Sequence, residues 1–152
     1  MKSFFNITLL VLMLLTAFAC GGDKSVTETP PIVVPDTTKP VIVLADPTAG
    51  KTIILGATLH LQMDLSDNTE LKSYKVTIAK SLKGVVTSDW AFTQTWTIPT
   101  GKKTVTINHS EITVPLTVTG NQTTTGNYDM TIVCTDLAGN ENSTTLTIAL
   151  SK

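Results

Sequence analysis

The sequence predicts an all-β domain of antiparallel strands, and three observations predict it. Thr, Val and Ile recur at alternating positions from Lys39 onward, the pattern of strands with one wet and one dry face. Clusters of Gly, Pro, Asn and Asp interrupt that pattern at short intervals, as turns between strands do. Beyond the first nineteen residues no amphipathic segment of helical period occurs.

The elements follow in order. Residues 40–45 form the first strand. Residues 58–66 form the second, with Leu59, Leu61, Met63 and Leu65 on one face and His60, Gln62 and Asp64 on the other. Residues 71–80 turn Tyr74, Val76 and Ile78 inward. In residues 90–98, Trp90, Phe92 and Trp96 share one parity. Residues 103–108 and 112–118 read as two further strands, the latter with Ile112, Val114, Leu116 and Val118 in register. Residues 128–135 place Tyr128, Met130, Ile132 and Cys134 inward, and residues 143–150 do the same with Leu146, Ile148 and Leu150. Such a count of short strands in one domain predicts an immunoglobulin-like antiparallel β-sandwich of seven to eight strands. Tyr128 opens the penultimate strand, where a tyrosine corner would turn its hydroxyl onto upstream backbone. The apolar content is sufficient for one core without a covalent staple.

The N-terminal segment is of a different kind. Lys2 precedes the apolar run Phe4 to Ala19, which ends in Ala17-Phe18-Ala19 before Cys20. A basic start, an apolar middle and small residues at the end make a secretory signal peptide, and the run is short for a membrane span. A Cys at the cut resembles the lipobox of bacterial lipoproteins. The resemblance implies that the Cys20 thiol carries diacylglycerol, and Gly21 in the next position implies sorting to the outer membrane. Both faces of that membrane stay open. The expected organisation is a signal peptide over residues 1–19, a lipidated Cys and flexible Pro/Thr-rich tether over 20–38, and the Ig-like domain over 39–152. Pro30, Pro31 and Pro35 stiffen the tether. Within it, Asp36-Thr37-Thr38 resembles a short O-glycosylation motif of gut bacteria.

Composition removes several function classes. The formal net charge is −1, and every basic residue is Lys. A near-neutral chain without Arg has no electrostatic footprint for nucleic acid and no planar fork for phosphate or carboxylate. With Cys20 lipidated, Cys134 is the remaining thiol, so no disulfide framework forms. Its place in an apolar strand makes it a buried, inert thiol.

Two turns carry a wider resemblance. Ser66-Asp67-Asn68-Thr69-Glu70 and Thr135-Asp136-Leu137-Ala138-Gly139-Asn140 resemble the loops of bacterial Ig-like and hyalin-repeat-like modules. Together with Lys39-Pro40-Val41-Ile42, Leu71 to Lys75, Gly101-Lys102, His109 to Pro115 and Gly126 to Tyr128, the chain resembles an uncharacterised family of Bacteroidota Ig-like lipoproteins. Ser110 and Ala79-Lys80 stand where such members carry additional His. The resemblance implies a fold and a compartment and no activity.

Three candidate sites remain. In an Ig-type sandwich these two turns lie at one end, which would bring Asp67, Asn68 and Glu70 toward Asp136, Asn140 and Asn142. Hard oxygens from two loops suit calcium, although Asx turns explain the same residues without a metal. Trp90 and Trp96 would stack on glycan rings if exposed, and would fill the core if not. His109, Ser110 and Glu111 read as a polar turn between two strands. Neighbours on an extended chain point to opposite faces and form no relay. His60 reads as a solvated face residue. No catalytic signature is present, and no resident cofactor is expected. The sequence therefore predicts a lipid-anchored, non-enzymatic envelope module that binds a protein or glycan partner through its membrane-remote surface. The alternatives are a glycan-capturing accessory lipoprotein using the Trp90–Trp96 strand, a calcium-dependent adhesion module and, remotely, a hydrolase.

Overall fold

A computed structural model describes residues 33–81 and 86–152; the expected signal peptide, Cys20 and most of the tether lie outside the described residues. The described chain is all β, with no helix among those residues. Its strands are β1 (Val41–Asp46), β2 (Thr52–Ile54), β3 (Thr58–Ser66), β4 (Leu71–Lys80) and β5 (Phe92–Thr97), followed by β6 (Thr104–Thr113), β7 (Thr117–Val118), β8 (Asn121–Gln122), β9 (Gly126–Asp136) and β10 (Glu141–Ser151).

One sheet has three strands in the order β1-β3-β6, a second has five in the order β2-β10-β9-β4-β5, and β7 pairs with β8. All pairings are antiparallel except β2 with β10. The five-stranded sheet curls as a half-barrel. After β1 the chain passes through a cis Asp46-Pro47 bond and changes sheet, so β1 and β2 edge different sheets.

The alternating side chains explain why both sheets close on one core. Leu59, Leu61, Met63 and Leu65 of β3 face Val76 and Ile78 of β4, Met130 and Ile132 of β9 and Ile148 of β10 in a single buried cluster. Each such side chain contributes about 1.5–3 kcal/mol on burial. The inward sets expected for the second, third and last two strands are all part of this cluster or pack against it.

Ten strands form among the described residues where seven to eight were expected, the short β2, β7 and β8 being additional, and β2 runs parallel to β10 in place of a purely antiparallel pattern. One longer region departs as well. The two strands read at 103–108 and 112–118 are one strand, β6, to Thr113. Its ladder with β3 pairs Leu61 with His109 and Leu59 with Ile112, so β6 holds one extra residue there. This β-bulge shifts the inward parity from Ile107 to Ile112, and it made one strand look like two. The strand stops at Val114-Pro115, since Pro has no N–H for a ladder. Leu116, expected inward, is 61% exposed instead.

Candidate functional site: two polar clusters

The β3–β4 and β9–β10 turns lie together at one end, as antiparallel pairing of Leu71 with Asp136 requires. Asp67 Oδ2 accepts the Thr69 N–H at 2.8 Å and the Glu70 N–H at 3.1 Å, which makes the turn. Asp136 is fully buried. Its Oδ1 accepts the Asn140 N–H at 2.7 Å and its Oδ2 the Asn140 amide at 2.7 Å. Gly139, at a φ of 94°, closes that turn in the left-handed region.

The third acidic partner was not read from sequence. Asp36 crosses this end with its carboxylate accepting the Thr69 hydroxyl at 2.6 Å and the Asn68 amide at 3.1 Å, while its carbonyl accepts from Asn140. Asn142 similarly holds the Pro40 carbonyl at 2.9 Å. Residues Asp36 to Pro40 therefore lie against the loops as a strap that begins three residues upstream of the expected domain start at Lys39. The only local signal was Asp36-x-Thr38, whose N–H bonds back to Asp36 at 3.0 Å. Hydrogen bonds from Thr69, Thr38 and Asn68 pull the Asp36 carboxyl down to about 2, more than its slight desolvation raises it.

One oxygen from each of Asp36, Asp67 and Asp136 lies within 4.8 Å of the others. Asp67 Oδ1 is buried without a hydrogen-bond partner among the described residues. Of the residues expected to hold calcium, Asp67 and Asp136 meet. Asn68 and Asn140 bond to the acids instead, and Glu70 is diverted, its Oε1 accepting the Gly101 N–H at 2.7 Å. An open groove of about 420 Å³ beside the cluster is lined by Asp36, Thr69, Glu70, Lys103, Leu137 and Ala138.

The second cluster bridges the sheets on the β5–β6 side. Tyr74 Oη and His109 Nε2 are 2.5 Å apart, and His109 Nδ1 contacts Glu111. His109 keeps the inward parity of Ile107, and Glu111, two residues on, reaches its ring. His109 thus bridges Glu111 and Tyr74 within strand β6, where the sequence reading took His109, Ser110 and Glu111 for a polar turn between two strands. Burial, with the Glu111 charge adding, pushes the Tyr74 phenol up to about 12, so it stays protonated and is no nucleophile at neutral pH. Desolvation raises the Glu111 carboxyl, but the N–H groups of Glu111 and Ser110 and the His109 ring outweigh it and hold it below its usual value.

The aromatic residues belong to the same region. Trp90, a candidate for glycan stacking, is 6% exposed and in the core; its N–H reaches Tyr128 Oη at 3.3 Å. Trp96 is partly buried. It stacks on Tyr74 at 5.2 Å and 12° and on His109 at 4.4 Å and 29°, so protein rings occupy it. His60 is exposed on the outer face of β3. Cys134 is buried, and desolvation, with the Asp67 and Asp136 charges adding, pushes its thiol up to about 11, which makes it inert.

Comparison with known proteins adds a family. In fold, the chain is similar to the crystal structure of OgpA from Akkermansia muciniphila at 11% identity and a TM-score of 0.46, covering 75% of this chain and 30% of that one. It is similar to a beta-glucosidase from Listeria innocua at 12% identity and a TM-score of 0.38, covering 76% and 16%. It is also similar to the sporulation control protein Spo0M from Bacillus subtilis at 14% identity and a TM-score of 0.37, covering 75% and 49%. The chain spans less than half the length of these proteins, and likenesses this distant carry no argument about activity. No curated protein matches in sequence. Residues 18–151 match the domain of unknown function DUF4625, and with nearly the whole chain covered, the protein belongs to that family.

Proposed function

We propose that the protein is a lipid-anchored envelope lipoprotein whose Ig-like β-sandwich is a non-enzymatic module for binding a protein partner. Cys20, after its apolar leader, carries the lipid; burial of each acyl CH₂ is worth about 0.8 kcal/mol, enough for stable anchoring by two or three chains. The Ig-like reading is supported by the two-sheet strand order and by Tyr128, whose Oη donates to the Thr124 carbonyl at 2.8 Å as a tyrosine corner does.

The observation that carries the binding role is the apolar surface at the end away from the Asp36 strap. Ile54 and Leu116 are 59% and 61% exposed there. Leu116 lies over Gly56, whose added Cβ would sit 3.1 Å from Leu116 Cδ2. Large exposed apolar side chains grouped at one end suit a protein interface. The test uses a photo-crosslinking residue at Leu116 in the full chain, expressed in its native envelope, with Lys75 on the outer sheet face as the control. A discrete adduct at position 116 alone supports the reading; the same adducts at both positions, or none, refute it. Mass spectrometry of the mature chain checks the diacylglycerol on Cys20.

A second reading is favoured by one specific observation, the buried unpartnered Asp67 Oδ1 beside Asp36 and Asp136. There a calcium ion would supply the missing partner and tie the strap to both loops, with protein oxygens and water completing its shell. A melt in calcium and then in EDTA tests it. Binding at a hundredfold excess over Kd stabilises by about 2.7 kcal/mol, and an unchanged melt overturns this reading.

A further inference from the structure

The Asp36 end carries its own exposed surface, distinct from the Leu116 end. Val34 is 80% exposed and Leu137 is 58% exposed. Both belong to segments that meet here: Asp36 bonds to Asn68, Thr69 and Asn140, and the Leu137 N–H bonds to the Glu70 carbonyl. Val41, half-exposed, opens β1 opposite Ser66 at the same end. Around them stand four exposed lysines, Lys39, Lys72, Lys102 and Lys103. The backbones of the last two are joined to this end by the Leu71 N–H to Lys102 carbonyl and Asp67 N–H to Lys103 carbonyl bonds. Of the acids at this end, Asp136 is buried, Asp36 accepts from Asn68 and Thr69, Asp67 Oδ2 accepts from Thr69 and the Glu70 N–H, and Glu70 accepts the Gly101 N–H, while Glu141 stands exposed beside Lys39.

We propose that this end is a lipid-contacting surface, with Val34 and Leu137 inserted at the bilayer interface and the lysine stems reaching headgroups around them. The inference rests on lipidation of Cys20. The occupant follows from where the chain leads. Cys20 lies thirteen positions before Val33, and an extended chain spans about 3.5 Å per residue, so the anchor is at most about 45 Å from this surface. A surface held so near its target meets it at an effective concentration in the millimolar range. Contact that would be too weak for a free domain then persists. Lysine side chains suit the rim because their stems lie along apolar surface while the ammonium stays in water. The Leu116 end is correspondingly directed away from the bilayer.

The experiment takes the full-length mature lipoprotein, purified with its lipid and reconstituted into vesicles of phosphatidylethanolamine and phosphatidylglycerol. An environment-sensitive dye is attached to Leu137→Cys in one sample and Leu116→Cys in another; both sites are exposed, and the buried Cys134 does not compete. The expected result is blue-shifted emission at position 137, quenched several-fold by lipid-borne nitroxide, with aqueous emission at position 116. Aqueous emission at both positions from a chain whose diacylglycerol is confirmed by mass overturns the inference and leaves the anchoring intact. A blue-shifted label at 137 that lipid-borne nitroxide does not reach also overturns it, since a second protein then covers this end. A mature chain without diacylglycerol overturns the anchoring reading and this inference with it.

Discussion

Tyr74 Oη lies 2.5 Å from His109 Nε2, and this contact joins the five-stranded sheet to the three-stranded one. Tyr74 is on β4 and His109 on β6, so the bond links strands with no ladder between them. Trp96 packs against both rings and covers the contact from β5. The Tyr74→Phe variant leaves His109 with one partner in a half-buried place. The expected loss is about 1–2 kcal/mol of unfolding free energy, read from urea denaturation at neutral pH. A variant as stable as the parent would mean that water replaces the hydroxyl without cost.

The same phenol sets an alkaline limit. Its ionisation is raised from an ordinary 10 to about 12, and Cys134 is raised from 9 to about 11. In both cases the folded state favours the protonated form. The stability they contribute is full below the ordinary values and is lost as pH rises through the raised ones. Unfolding free energy should fall between pH 9 and 12, following these values, and Tyr74→Phe with Cys134→Ser should flatten that fall. An unaltered slope in the double variant would assign the alkaline loss to other groups.

Asp36 has the opposite sign. Its carboxyl is lowered from 3.8 to about 2 by Thr69, Thr38 and Asn68. Its contribution is present above the ordinary value and is lost as pH falls toward about 2. Asp36→Ala should free the strap and increase proteolytic cleavage over residues 34–40 at neutral pH, while the wild-type strap should stay protected down to about pH 3, between those two values. Equal cleavage of both chains would show that Asn142 and Pro40 hold the strap without Asp36.

Tyr128 is fully buried, with its Oη between the Thr124 carbonyl and the Trp90 N–H. Tyr128→Phe strands both groups, and the expected cost is about 1–3 kcal/mol, measured by thermal or urea melts. Lys80, which lies over the Tyr128 ring at 4.7 Å, should be unaffected because the phenyl face remains.

Core truncation sets the scale. Leu61 on β3 has no exposed surface, so Leu61→Ala should cost about 2–5 kcal/mol through lost burial and the cavity left behind. A smaller loss in a melt would mean that the two sheets close over the gap.

The sequence by itself determined the all-β class, the four inward sets of β3, β4, β9 and β10, and the Tyr128 corner. A side-chain period of two records which face is dry, and local turn chemistry records where strands stop. It also determined that Asp67 and Asp136 would share an end, because antiparallel order does so. What only the tertiary structure decided were the pieces that depend on contacts distant in sequence. The bulge at His109–Ile112 exists relative to β3, so β6 alone reads as two strands. Tyr74 meets His109 because two sheets close on one core. Asp36 joins the acids thirty or more residues downstream through single hydrogen bonds that leave no periodic trace. Trp90 and Trp96 share a parity, but that parity does not say whether a ring meets solvent or a facing sheet. The facing sheet decided it.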